Sequence, residues 1–186
     1  MPLSPASRET ILSDTRHWLT RAVIGLNLCP FAKSVHVKNQ IRYTISEATD
    51  LESVLADLET ELKTLADADP ADIDTTLLIL PNAFAHFADF NDCTHFADRL
   101  LRQLRLEGTL QIASFHPQFQ FEGTQADDIE NYTNRAPYPI LHLLREASID
   151  RAVEAFPDAA QIYERNEATL REMGLEGWRK WMSEKD

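Results

Sequence analysis

Apolar side chains recur at helical spacing through Ile11, Leu12, Thr15, Trp18, Leu19, Ala22, Val23 and Leu26. This pattern predicts a first amphipathic helix capped by Ser7. Pro30 stops it, because proline cannot extend the backbone ladder and restricts the residue before it. Ile41-Arg-Tyr-Thr-Ile45 alternates and predicts a strand. Asp50 then caps a second helix carrying Leu51, Val54, Leu55, Leu58, Leu62 and Leu65, and Asp69-Pro70 makes a turn. Residues 75–80 form an unbroken apolar run of strand length, as a strand buried on both faces requires. A third helix over residues 89–106 turns Phe90, Cys93, Ala97, Leu100, Leu101 and Leu104 inward, and Glu107-Gly108 closes it. Residues 109–115 are a third strand. Further on, Pro139 begins a short helix to Glu146, and Ser148 caps another turn or two through Val153. Pro157 opens a helix running to Met173 that Gly174 ends, and a last amphipathic piece carries Trp178 and Trp181.

Between the third strand and Pro139 no helical or strand period is sustained. Connections inside compact domains have a median of about 4–6 residues, so a segment this long is either disordered or functional. Here it carries Phe115, Phe119, Phe121, Tyr132 and Tyr138 together with Pro117, Pro137 and Pro139. That composition favours a folded segment.

The element order predicts an α/β fold in a single domain over residues 1–186. It consists of a small, mostly parallel sheet of three to four strands flanked by helices, a long ordered loop after the third strand, and a helical C-terminal part. Residues 118–121 would add a fourth strand at an edge. A ferredoxin-like α+β arrangement is the alternative. In open parallel sheets ligands bind at the carboxyl ends of the strands. Those ends are Ser46-Glu47, Pro81-Asn82 and His116-Pro117, and the long loop leaves from the third.

Charge narrows the range of partners. The net charge of −12 repels phosphate backbones, so nucleic acid is not the expected partner. It is unevenly spread: from Glu47 to Asp74 Lys63 is the only base among many acids, whereas from Thr15 to Ser46 there are bases and no acids. No apolar run approaches the ~20 residues of a membrane span, and the start lacks the pattern of a signal peptide, so a membrane role is not expected and the expected location is cytoplasmic. Two cysteines make no disulfide framework. With five glycines there is no phosphate-binding loop and no dinucleotide fingerprint, and neither G-x-S-x-G nor H-E-x-x-H occurs. No cofactor is implied by a motif.

Leu26-Asn-Leu-Cys-Pro-Phe-Ala32, Ser114-Phe-His-Pro117, Asn131-Tyr-Thr-Asn-Arg-Ala-Pro-Tyr-Pro139 and Leu141-His-Leu-Leu-Arg-Glu146 together resemble a bacterial family of about 180 residues known as domain of unknown function 1415. The resemblance covers nearly the whole chain. It implies a bacterial, cytosolic, single-domain protein and supplies no catalytic residues. Cys29-Pro-Phe-Ala32 also resembles the redox-loop tetrapeptide of some thioredoxin-fold glutathione transferases, although there a strand precedes the cysteine and here the preceding segment has helical period.

Seven candidate residues follow from the sequence itself. Cys29 lies among bases and no acids, a setting that favours the thiolate. Its bland alternative is a small buried hydrophobe. His116, at a strand end, has the pKa range of a general acid or base, or else it pins loop backbone. Arg135 can clamp a carboxylate or phosphate bidentately, or it pairs within its own loop. Asn131 and Asn134 orient a substrate or close their own turns. Arg145 adds a second cation if its face turns toward the loop, and Tyr138 adds a further polar contact. A metal held by Asp127, Asp128, Glu122, His116 and His142 matches no established ligand spacing, so no metal is expected.

The expectation is an enzyme acting on a small anionic metabolite at the carboxyl ends of the strands, with His116 and Cys29 catalytic and Arg135, Asn131, Asn134, Arg145 and Tyr138 binding. Two alternatives stand beside it. One is a non-catalytic ligand-binding or protein-interaction module using Phe119, Phe121, Tyr132 and Tyr138. The other is a thiol-dependent redox protein using Cys29.

Overall fold

The computed structural model describes residues 3–155 and 161–184. Helix α1 (Pro5–Trp18) starts one turn earlier than its apolar period suggests. Ser4 is the cap, its hydroxyl accepting from the Ser7 N–H at 3.1 Å, and Pro5 fills the first turn, where a missing N–H costs nothing. The helix loosens into a π-helical turn (Leu19–Ile24) and stops there, short of the Pro30 that the sequence suggests as its end, in a turn where Asn27 takes a φ of 54°. A short helix α2 (Ala32–Val37), which has no clear periodic signature, leads into strand β1 (Ile41–Ile45). Asp50 caps α3 (Leu51–Asp67) as expected, accepting from the Ser53 N–H at 2.9 Å. Strand β2 (Thr75–Ile79) is buried throughout, α4 (Phe87–Gln103) follows, and β3 (Leu110–Phe115) ends where the long loop begins.

Beyond that loop the structure departs from the sequence pattern. Residues 140–145 are not a helix but strand β4 (Ile140–Arg145), and the turns over residues 118–121 make no edge strand. The sheet order is β1-β2-β4-β3. Strands β1, β2 and β3 all run the same way, as their helical crossovers require. However, β4 enters between β2 and β3 antiparallel to both, so β1–β2 is the one parallel pair and the sheet is mostly antiparallel. The fold is α/β, with helices on both faces and a helical C-terminal part, α5 (Glu146–Ala155) and α6 (Ile162–Ser183). The predicted helix start at Pro157 lies outside the described residues.

Period-two alternation assigns the strand residues to two cores. Leu78, Leu80, Leu110, Leu141 and Leu143 pack with Val54, Leu58, Leu62 and Leu65 of α3 and Phe90, Cys93 and Ala97 of α4. On the other face Ile45, Leu77, Ile79 and Ile140 pack against Trp18, Leu19, Ala22 and Val23, and against Leu170 and Trp178 of α6. Arg42 and the buried Glu61 clamp β1 to α3 through two hydrogen bonds, at 2.7 and 3.1 Å. None of the described helices is long and apolar enough to cross a membrane.

As the sequence predicts, the helix from Ile162 ends at Gly174, with φ 64° and ψ 173°, a backbone region essentially closed to residues bearing a Cβ, and α6 resumes beyond this kink as a second helical piece. Nothing lies within 4 Å of where a Cβ would sit, so strain is the whole cost of a substitution. Gly174→Ala is expected to lower unfolding stability by about 1–3 kcal/mol in urea titrations, with the denaturant slope unchanged.

Candidate functional site

The long loop is folded, and its polar groups are spent on folding it. Asn131 is fully buried: its Oδ1 accepts from the Phe121 N–H at 2.9 Å and the Thr124 hydroxyl at 2.8 Å, while its Nδ2 donates to the Gln125 carbonyl at 2.7 Å. Asn134 donates to the Ser114 carbonyl, and its own carbonyl receives the His116 N–H. Arg135 lies over the Tyr132 ring and donates to the carbonyls of Phe119 and Ala126. Tyr138 donates to Asp14 at 2.7 Å, and burial, aided by that carboxylate, pushes its pKa up to about 12.

His116 is sealed in the same way. Its Nδ1 accepts from the Gln118 N–H at 2.9 Å, so Nε2 carries the proton and donates to the Phe84 carbonyl at 2.8 Å. Phe87 and Phe90 pack on the ring, and burial lowers its pKa, opposed by the Phe84 bond. Nδ1 closes the turn to Gln118 in its own loop, and Nε2 pins that loop to the one carrying Phe84. Phe119, Phe121, Tyr132 and Tyr138 are half-buried, and three of them pack on aromatic neighbours: Phe119 on Phe87, Phe121 on Phe119, and Tyr132 on Trp178. Arg145 faces away from the loop. Its guanidinium donates to the carbonyls of Leu65, Ala68 and Ile73, which places a cation at the C-terminal end of α3. Among the described residues no three His, Cys, Asp or Glu side chains converge as metal ligands.

A cavity lies elsewhere. A cleft of about 730 Å³ runs between the sheet face bearing Leu77, Ala113 and His142 and a roof made by Trp18, Val23 and the Cys29–Val35 segment. It reaches the amino ends of β1 and β2 at Gln40 and Asp74, the opposite end of the sheet from the one the parallel-sheet argument favours. The physical reason is the loop itself, which closes the carboxyl end. Leu80 N–H donates to the Pro139 carbonyl, and Trp18 Nε1 donates to the Arg135 carbonyl at 2.8 Å.

Of the residues picked from sequence, Cys29 and Arg145 line this cleft, while His116, Asn131, Asn134, Arg135 and Tyr138 do not. The backbone N–H groups of Phe31 and Ala32 bond the Cys29 sulfur, but burial outweighs them and raises its pKa. The resting group is therefore a thiol. Cleft residues that sequence reasoning did not select include Thr75, Lys38, Arg151 and His142, the last weighed only as a metal ligand and set aside. The hidden one was His142: it is 113 positions beyond Cys29, and no spacing rule joins them.

His142 sits deep in the sheet but keeps some accessible surface, because it lines the hollow. Its Nε2 lies 2.6 Å from the Thr75 hydroxyl oxygen, which is itself 2.7 Å from the Leu143 carbonyl. A hydroxyl has one proton, and the carbonyl can only accept it, so Thr75 donates to Leu143 and accepts from His142. Nε2 therefore carries the ring hydrogen. Burial lowers the His142 pKa to about 4, so the ring is neutral near pH 7.

A family profile described as Protein of unknown function (DUF1415) matches residues 10–180. The chain belongs to that family. No curated protein and no solved structure matches it. The DUF1415 match begins within α1 and ends within α6, so it takes in the whole sheet, the long loop and every residue of the cleft named above.

Two outcomes follow for this DUF1415 protein. Cys93 is nearly fully buried and burial pushes its pKa up to about 11, whereas Cys29 borders the cleft. Iodoacetamide at pH 7.5 is expected to modify Cys29 before Cys93, and more slowly than an unperturbed thiol, as peptide mass mapping against time would read. The buried histidines add a pH dependence to stability. Unfolded His142 takes up its proton near 6.5 and the folded group only near 4, so between these values the unfolded state holds more protons. Stability should be full above pH 6.5 and fall by roughly 3 kcal/mol by pH 4, with His116 adding in the same direction. Urea midpoints across this range would show it, and His142→Leu would flatten the slope.

Proposed function

We propose that this protein binds a small amphipathic anion in the cleft, with its apolar body against the sheet and its acidic group at the rim. The observation that carries the reading is the lining. It is mostly apolar, from Trp18, Leu19, Val23, Phe31, Leu77 and Phe115, and among its charged groups Lys38, Arg145 and Arg151 outnumber Asp74. Arg145 is engaged by backbone carbonyls, which leaves the exposed Lys38 and Arg151 as the rim cations facing a ligand. A volume of about 730 Å³ is in the range of small-molecule sites, which pair an apolar wall with a few polar groups.

Ligand binding is the function this geometry supports best. Cys29 and His142 are the groups through which chemistry on a bound ligand would run, and a protonated thiol at rest weighs against Cys29 as a standing nucleophile. Two free cysteines accord with a reducing cytoplasmic setting.

The test is a fluorescence titration with 2-naphthoate, read through quenching of Trp18, with naphthalene as the uncharged control. Saturable binding of the carboxylate is expected. The double charge reversal Lys38→Glu, Arg151→Glu, at two exposed positions, should weaken it by roughly three- to tenfold at low salt while leaving the melting temperature unchanged. Absence of saturable binding, or binding indifferent to the charge reversal, would overturn the reading.

A further inference from the structure

On the floor of the cleft, a ring nitrogen of His142 is left unused by the fold. On β4, His142 pairs across to Leu77 of β2 and Ala113 of β3, so its ring stands on the sheet face that floors the cleft. Ala113 is the smallest side chain in that row, and the Phe115 ring lies 6.1 Å from the imidazole, centroid to centroid. The Thr75 hydroxyl, fixed by its bond to the Leu143 carbonyl, holds Nε2–H and so sets both the ring's tautomer and its orientation. The unprotonated nitrogen is then Nδ1. Among the described residues nothing donates to it, yet it is not one of the side-chain atoms sealed from solvent without a hydrogen bond. Its lone pair therefore opens onto the cleft. His116 is the internal contrast, since both of its nitrogens are consumed by backbone groups.

We infer that Nδ1 of His142 is the hydrogen-bond acceptor for the inner end of the ligand, so that the preferred ligand is an apolar anion carrying a hydroxyl or N–H donor at the end away from its acidic group. This rests on the cleft being the ligand site. An acceptor without a partner in apolar surroundings is costly, and a donor arriving with the ligand removes that cost. A ligand of the same shape without a donor leaves the nitrogen unsatisfied, and this is how a largely apolar pocket discriminates strongly between near-isosteres. The neutral state of the buried ring near pH 7 keeps the lone pair available. Thr75 acts as a positioning residue: it touches the ring, and through the ring it aims Nδ1.

The experiment compares three probes on the intact protein, 6-hydroxy-2-naphthoate, 6-methoxy-2-naphthoate and 2-naphthoate, at two protein concentrations. The hydroxy acid should bind roughly three- to tenfold more tightly than both others, the worth of one net hydrogen bond. His142→Leu, checked for folding by circular dichroism and melting, should abolish that preference, and Thr75→Val should reduce it. In ¹⁵N-labelled wild type, the imidazole Nδ1 resonance should move with the hydroxy acid and not with the methoxy acid. Equal affinity for the three probes in wild type would overturn the role of His142 and leave the cleft reading intact. Failure of all three to bind would overturn both. Affinity that falls as protein concentration rises would assign the cleft to a second copy of the chain and would likewise overturn both.

Discussion

The whole fold depends on β4 pairing simultaneously with β2 and β3. Its register with β2 runs from Ile140 against Ile79 to Leu144 against Thr75, and with β3 from Ile140 against Phe115 to Arg145 against Leu110. Without this strand β1–β2 and β3 share no backbone hydrogen bonds, and the two cores lose the wall between them. The same six residues serve both layers. Leu141 and Leu143 complete the core under α3 and α4, while Ile140 and His142 face α1 and the cleft. Arg145 ends the strand by capping the last carbonyls of α3. Structure and candidate chemistry thus share one short segment, and the alternation of a strand keeps them on opposite sides of the sheet.

The long loop and the cleft divide the sheet by its two ends. At the carboxyl ends of β1 to β3 the loop fills the space that a ligand would take in an open parallel sheet, and Asn131, Arg135 and His116 spend their hydrogen bonds holding it there. At the amino ends the chain between the π-helical turn and β1 arches over the sheet, with α5 beside it, and leaves the hollow unfilled. A polar, proline-stiffened loop with many hydrogen-bonding groups is what a binding site needs. It is also what a loop needs to bury itself, because every buried polar group must find a partner.

This sets how much was legible. Asp50 at the head of α3, the apolar run of β2 and the inward face of α4 can be read directly from the chain, because local capping and periodicity govern them. Strand β4 is read as helix for a physical reason. A central strand buried on both faces loses its alternation, and Ile140, Leu141, Leu143 and Leu144 then fall at spacings that equally suit a helix. That one misreading yields a mostly parallel sheet and points to the carboxyl ends of the strands rather than to the cleft. Cys29 is visible as unusual from its neighbours. His142 as a cleft residue is not visible, because only the pairing of β4 with β2 brings it beside Thr75.

β4, the interior strand that joins β2 to β3, is also the last strand to be synthesised. While the ribosome is still producing the long loop, β2 and β3 already exist with leucine-rich flanks and unpaired backbone edges, and the strand that joins them has not been made. The nascent chain therefore passes through a stage open to mispairing with other chains, and this stage ends only when residue 145 has emerged.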